Sequence, residues 1–384
     1  MPRTQKGRLP RGRFSVSTWR SAGAPFRGPR ASGGNGIQNH MANPLIDPIL
    51  GKYRSLFWPA IVKEMKKRAA TSAPKLVPVQ DHTSKIRPGD RLLMTMGRDE
   101  NPRIPFFLEY YRGLGIDHFL FVDNESEIPM AEVLAGHPDV SLWRTDESYA
   151  ATRFGVDWMN AINSRHGVGH WVLTVDLDEF FVYPRMRTRS YGELLAYLQD
   201  AERQSMFTLM VDLYPKGAVA DAHVEAGEAP WNHARYFDRI GYYTARSTHK
   251  DSYTRGGPRL RAFNAGNFAG APALNKTPLI KWRQDTVYYL STHVAYPTSI
   301  NAAHNKQCQP TGALLHCKFV SSFREKAEQA IRLKNHYNES GEYLKYLDRL
   351  RKSEEFSLFT RISAEYTGPD SLVEAGIMTS GGWS

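Results

Sequence analysis

The alternation of wholly apolar segments with amphipathic ones between Arg91 and Asp176 constrains this chain more than any other feature. "RLLMTMG" (Arg91 to Gly97), "HFLFVDN" (His118 to Asn124), "VSLWRT" (Val140 to Thr145) and "HWVLTVD" (His170 to Asp176) are apolar runs of strand length. Between them, "PRIPFFLEYYRGLG" (Pro102 to Gly115), "MAEVLAGH" (Met130 to His137) and "YAATRFGVDWMNAINSRHG" (Tyr149 to Gly167) carry apolar residues at helical spacing. A strand apolar along its whole length has both faces covered, the pattern of a mostly parallel sheet flanked by helices. Such sheets bind ligands beyond the carboxyl ends of their strands. Each of three runs here ends in polar residues: Arg98, Asp99 and Glu100 after the first, Asp123 and Asn124 after the second, Asp176 and Asp178 after the fourth. All three clusters are expected on one edge of the sheet.

The last of these is the densest, since "TVDLDEFF" sets Asp176, Asp178 and Glu179 within four residues. Two aspartates separated by one residue leave a strand end on the same side. Two hard carboxylates, with water and phosphate oxygens completing the shell, suit Mg²⁺ or Mn²⁺. Acid pairs are common in solvated turns, but a pair directly after a buried strand is a much narrower signal. Further on, "SMFTLMVDLYPKG" (Ser205 to Gly217) reads as another strand, with Asp212 its best-placed acid. "YTRGGPRLRAFN" (Tyr253 to Asn264) and "LNKTPLIKW" (Leu274 to Trp282) combine Arg259, Arg261, Lys276 and Lys281 with glycine and aromatics. They read either as an acceptor or phosphate site under a mobile loop or as charged surface loops. "LLHCKF" sets His316 beside Lys318.

The net charge of +11 belongs to the start of the chain, where residues 1–46 hold eight Lys or Arg and no acid. Without them, 42 basic residues face 39 acidic ones. Rich in Gly, Pro and Arg, this tail is expected to be disordered; it resembles a transit peptide, and a basic arm for anionic lipid or nucleic acid is the other reading. Met41 offers an alternative start. Residues 47–90 divide into a helix, "ILGKYRSLFWPAIVKEMKKRAA" (Ile49 to Ala70), interrupted by Pro59, and a linker from Thr71 to Asp90. The helix could lie on a membrane surface or pack on the main domain. That domain is expected over 91–326, with a helical C-terminal extension over 327–384. Cys308 and Cys317 suggest neither a disulfide framework nor a zinc knuckle, and no run of about 18 apolar residues occurs. No clustered basic and aromatic module points to nucleic acid. The expected location is the cytoplasm, with the inner face of the membrane as an alternative.

At this point a resemblance emerges. The blocks "MGRDENPRIPFFLEYYRGLGIDHFLFVDNES", "DVSLWRT", "FGVDWMNAI", "GHWVLTVDLDEFFVYP", "LYPKG", "LNKTPLIKW" and "GALLHCKF", in this order from about Leu92 to Lys326, with "GIMTSGGW" near the C-terminus, resemble a bacterial branch of the family 2 glycosyltransferases. The resemblance implies a GT-A-like, Rossmann-like fold. It also implies inverting transfer of a sugar from a nucleotide-sugar to a glycan or lipid-linked acceptor, as in cell-surface polysaccharide synthesis, with a divalent metal as cofactor. By the same resemblance Arg98, Glu100, Asp123, Asn124, Asp176 and Lys318 would bind the nucleotide-sugar, and Asp176, Asp178 and His316 the metal. Glu179 would stand behind the ligands. An inverting enzyme needs a carboxylate to take the acceptor's proton; Asp212 is the leading candidate, with Asp238, Asp251 and Asp285 open. Two blocks depart from the family pattern: "RDE" stands where "RNE" is usual, and "VDNESEIPM" lacks the second acid and the threonine of a "DNxSxDxT" run. The alternatives are a nucleotidyltransferase or phosphate-handling enzyme, against which counts the lack of GxxxxGK[ST], and a nucleic-acid-binding protein acting through the tail.

Deleting the chain up to Met41 is expected to leave solubility and nucleotide-sugar binding intact, as checked by gel filtration and thermal shift.

Overall fold

The computed structural model describes residues 47–246, 252–305, 309–333, 341–352 and 355–383. The basic tail with Met41, Asp251 and Cys308 lie outside them. Helix α1 (Asp47–Ser72) continues through Pro59 instead of breaking there. Its buried Val62 and Met65 pack on Val287, Val294 and Tyr296, and Arg68 pairs with Asp157 at 2.7 Å. Of the two expectations for this helix, packing against the domain is the one the structure contains.

The linker expected over Thr71 to Asp90 instead holds a strand, β1 (Val77–Gln80). It lies at the sheet's edge, where Pro78 costs no ladder hydrogen bond on the open side. The alternating pattern then produces β2 (Arg91–Gly97), α2 (Ile104–Leu114), β3 (His118–Asp123), α3 (Ala131–Leu134), β4 (Val140–Arg144), α4 (Val156–Ile162) and β5 (Trp171–Thr174). The chain goes on through β6 (Glu179–Val182), α5 (Tyr191–Asp200), β7 (Ser205–Asp212), β8 (Tyr236–Asp238), β9 (Tyr242–Arg246), β10 (Ser252–Gly256) and β11 (Asn275–Lys281). It closes with β12 (Val287–Leu290), β13 (Val294–Tyr296), β14 (Gly312–His316), α6 (Phe323–Leu333), α7 (Gly341–Lys352), β15 (Ser363–Glu365) and α8 (Pro369–Glu374).

Nine strands form one sheet in the order β1-β4-β3-β2-β5-β11-β7-β14-β6. The pairs β4-β3, β3-β2, β2-β5 and β7-β14 are parallel. β1, β11 and β6 pair antiparallel with their neighbours, so six strands run one way and three the other. Both faces are covered, as the apolar runs require. Leu93, Phe119, Phe121 and Leu173 point to a layer with Phe107 and Tyr111 of α2 and Leu194 of α5. Their neighbours Leu92, Met94, Leu120 and Val172 point the other way, to Trp158 of α4 and Trp282.

Two expectations fail for local reasons. The helix predicted from Tyr149 to Gly167 is regular only over α4, because Arg153, Phe154 and Gly155 are left-handed, with φ of 57°, 60° and 76°. The C-terminal segment is not purely helical either: β15 pairs with β8, and the Trp383 ring packs 6.0 Å from Tyr183 and 6.1 Å from Tyr197. Among the described residues no helix is long and apolar enough to cross a membrane.

Gly155 combines its positive φ with a tight approach, since a Cβ there would lie 2.2 Å from Met96 Sδ. Gly155→Ala is expected to lower stability by about 2 kcal/mol or more, measured by urea unfolding.

Candidate functional site

Because β2, β3 and β5 are parallel, with Gly97 opposite Asp123 and Met94 opposite Thr174, their polar carboxyl ends do gather on one edge. The structure gives the members different tasks. Asp123 is buried, and its carboxylate accepts from the backbone N–H of Ser126 (2.8 Å) and of Met130 (3.0 Å). Asn124 donates through Nδ2 to the carbonyls of Thr145 and Glu147. These two residues, expected to touch the nucleoside, spend those atoms on bracing the loops after β3 and β4. Arg98 is different: its nearest carboxylates, on Asp99 and Glu125, are both 3.8 Å away. Its buried Nε has no hydrogen-bond partner among the described residues. Glu100 pairs with Arg103 at 2.7 Å and with Lys326 of α6, and Gln329 of the same helix donates to Asp99. The loop after β2 is thereby fastened to α6.

The turn after β5 sends its three side chains apart. Leu177 is buried, and the close approach of β2 depends on Gly97, whose Cβ would lie 2.9 Å from Leu177 Cδ1. Asp176 stays about half exposed, 47 %, with Lys276 Nζ 3.6 Å from its Oδ2. Lys276 lies deeper, at 2.6 Å from the buried Glu179. Asp178 meets His316, with 3.3 Å between Oδ2 and Nε2. The other imidazole nitrogen, Nδ1, lies 2.6 Å from Asp212 Oδ1. Arg259 donates to both Asp212 oxygens, through Nε at 3.0 and 2.9 Å and Nη2 at 2.8 Å. This makes a continuous charged row of Asp178, His316, Asp212 and Arg259, set up by the parallel register that places His316 opposite Asp212.

That row sets the environment of Asp212, the acid expected to take the acceptor's proton. Burial alone would favour its protonated form, but Arg259 and His316 outweigh burial and hold the carboxyl far below its ordinary range. Both its oxygens accept from Arg259, and Oδ1 also faces His316 Nδ1. Asp178 is likewise held well below the usual range, burial being outweighed by His316, Arg103 and Lys318. Asp176 moves the opposite way, pushed up to about 6 by desolvation and by the charge of Glu179 against the opposing pull of Lys276.

The remaining candidates are also placed. Lys318 turns its ammonium onto Tyr343 and Tyr346, 4.3 and 4.8 Å from the ring centres, and donates to Tyr343 Oη. Asp238 is buried against Arg261, Asp285 is exposed, and Asp251 lies outside the described residues. Lys276 and Arg259, read as belonging to an acceptor loop or a charged surface, are buried inside the site. His293, to which no motif points, lies at the same edge with Nδ1 2.7 Å from the Asn275 carbonyl. Beside Leu177 and Phe180, a cavity of about 680 Å³ opens between the loop after β2 and α6, with Arg103, Phe106 and Lys326 in its wall.

Among the described residues, no group of three or more His, Cys, Asp or Glu is arranged to hold a metal ion. Asp178 and His316 fit one as a pair: ligands at about 2.1 Å in octahedral geometry lie about 3 Å apart, close to their 3.3 Å separation. Asp176, the third ligand of the expected set, leans instead toward Lys276.

Asp176 keeps its proton to about pH 6 in the folded chain, against an ordinary value of 3.8, so its ionisation favours the unfolded state as pH rises between these values. Asp176→Asn is therefore expected to raise the melting temperature at pH 8 and to leave it nearly unchanged below pH 4, as followed by scanning calorimetry.

Compared with models of known protein families the chain matches none, and no curated protein matches it. The function has to be argued from the chemistry of the site.

Proposed function

We propose that the protein is a metal-dependent inverting glycosyltransferase, moving a sugar from a nucleotide-sugar to a hydroxyl acceptor. The observation that carries the proposal is the turn after β5. Asp176 and Asp178 stand one residue apart at the carboxyl end of a buried parallel strand, with Asp178 3.3 Å from the imidazole of a later strand. Two cations flank this turn from opposite sides, Lys276 next to Asp176 and Arg103 close enough to Asp178 to lower its pKa. The ordered motifs that resemble family 2 glycosyltransferases, and a mostly parallel sheet flanked by helices in which an antiparallel strand separates β5 from β7, support the same reading.

In this reading Asp178 and His316 would hold the divalent ion, with Asp176 joining them. The ion, when bound, offsets the charge that develops on a departing diphosphate. The chain's own residues do the rest. Arg98, whose ion pairs with Asp99 and Glu125 are both long at 3.8 Å and whose Nε has no hydrogen-bond partner among the described residues, is suited to pair with a phosphate. Asp212 and Arg259 keep the His316 ring turned so that Nε2 faces Asp178. Lys276 compensates Glu179 and part of Asp176, leaving a negative charge at the turn that favours a cation.

The test is a panel of nucleotide-sugars scanned by thermal shift with Mn²⁺ and with chelator, followed by assay of nucleotide diphosphate release. Metal-dependent stabilisation by a subset of the panel is expected, and a panel without any such response would overturn the proposal. Release of inorganic pyrophosphate instead would point to nucleotidyl transfer. Asp178→Asn is expected to lower turnover by about a thousandfold or more. It should also lower stability slightly, because His316, Arg103 and Lys318 now lose the anion that compensates them.

A further inference from the structure

We propose that His293 is the base that takes the proton from the acceptor hydroxyl, an inference that rests on the transferase reading. Of the buried carboxylates of the site, Glu179 is matched by Lys276, Asp212 by Arg259 and Asp238 by Arg261, and both oxygens of Asp123 accept from backbone N–H groups of its own loop. Asp178 faces His316, and Asp176 belongs to the pair of aspartates suited to the ion. None of them is left to accept the proton.

His293 sits in the turn between β12 and β13, anchored where the Thr292 carbonyl accepts from Thr277 N–H at 2.7 Å. Its Nδ1 is 2.7 Å from the carbonyl oxygen of Asn275. A carbonyl can only accept, so Nδ1 carries the hydrogen and, in the neutral ring, Nε2 carries the lone pair. The side chain is half-buried, and that hydrogen bond is the one the ring makes among the described residues. Asn275 immediately precedes Lys276, which reaches Asp176 and Glu179. The imidazole thus stands one residue along β11 from the cation of the cleft, on the sheet edge where the donor is expected.

Burial first, then the charge of Lys276, push the ring down to about 3, with Arg259 adding a smaller push and the hydrogen bond to the Asn275 carbonyl acting the other way. The lone pair is consequently available throughout the neutral range. An imidazole of that strength is nearly as basic as an ordinary aspartate, whose pKa is about 3.9, and carboxylates of that kind act as general bases. In the transfer, the acceptor oxygen forms a bond to the anomeric carbon while its proton passes to Nε2. The bond from that carbon to the diphosphate breaks, its electron pair leaving with the diphosphate. The imidazolium so formed later returns its proton to solvent.

His293→Asn keeps an N–H where Nδ1 stands, and so the bond to Asn275, but has no lone pair in place of Nε2. With the full chain, a nucleotide-sugar found in the panel and Mn²⁺, this variant is expected to melt within a few degrees of the wild type and to bind the donor with unchanged affinity in calorimetry. Its kcat should fall by about 100-fold or more. His293→Gly should lose as much, and added imidazole should restore part of its rate, which replacing a purely structural side chain would not permit. A kcat within threefold of wild type in His293→Asn, or a fall in donor affinity that matches the fall in kcat, would overturn the assignment. If the wild-type protein binds the donor and turns over while the variant does the same, only the role of His293 fails. If the wild type neither binds nor releases diphosphate, the transferase reading falls and the role of His293 with it.

Discussion

Compensating four carboxylates crowded at one edge of the sheet is the constraint on which the rest of this structure depends. Asp178, Glu179 and Asp212 are largely or wholly out of water, and an uncompensated buried charge costs several kcal/mol. Most of the compensating groups come from later in the chain, Lys276 from β11, His316 from β14 and Arg259 from the turn after β10, with Arg103 joining them at Asp178 from the loop after β2. Asp176 is pushed up to about 6 by desolvation and by the charge of Glu179, which Lys276 only partly offsets, whereas cations hold Asp178 and Asp212 well below the usual carboxylate range.

The parallel half of the sheet was legible because its strands are buried on both faces and therefore apolar at every position, a pattern helices and surface strands do not produce. The same rule hid β1 and β11. β1 contains a proline and half-exposed valines, so it reads as a linker; its place at an edge is what permits both. In β11, "NKTPLIK", Pro278 and two lysines suggest a surface loop. The strand tolerates them because its pairing with β7 shifts register between Lys276 and Leu279, because Thr277 N–H bonds to Thr292, and because the charge of Lys276 is met by Glu179.

Residue choice at the site was easier to anticipate than residue role. Asp176, Asp178 and His316 do lie at one edge, and Asp212 is part of the same cluster. What composition and spacing could not supply was the partner of each group. Arg259 is 47 positions from Asp212 and His316 is 104, and a carboxylate's chemistry is set by such partners. Asp123 and Asn124 show the same limit: their strand-end position did not reveal the bonds their side chains make to the loops after β3 and β4.

The insertion of β11 between β5 and β7 also has a kinetic meaning. Leu173 of β5 pairs with Leu279 of β11, so the two halves of the sheet can join only after a long stretch of chain has been closed into a loop, a slow step among the events of folding. Until then β5 is an open edge of Trp171, Val172 and Leu173, apolar and unpaired, the kind of edge that captures other chains. The same insertion that seals this edge delivers Lys276 to the crowded acids. Maturation of the charged centre and protection from aggregation are therefore one event, timed by the arrival of a single strand.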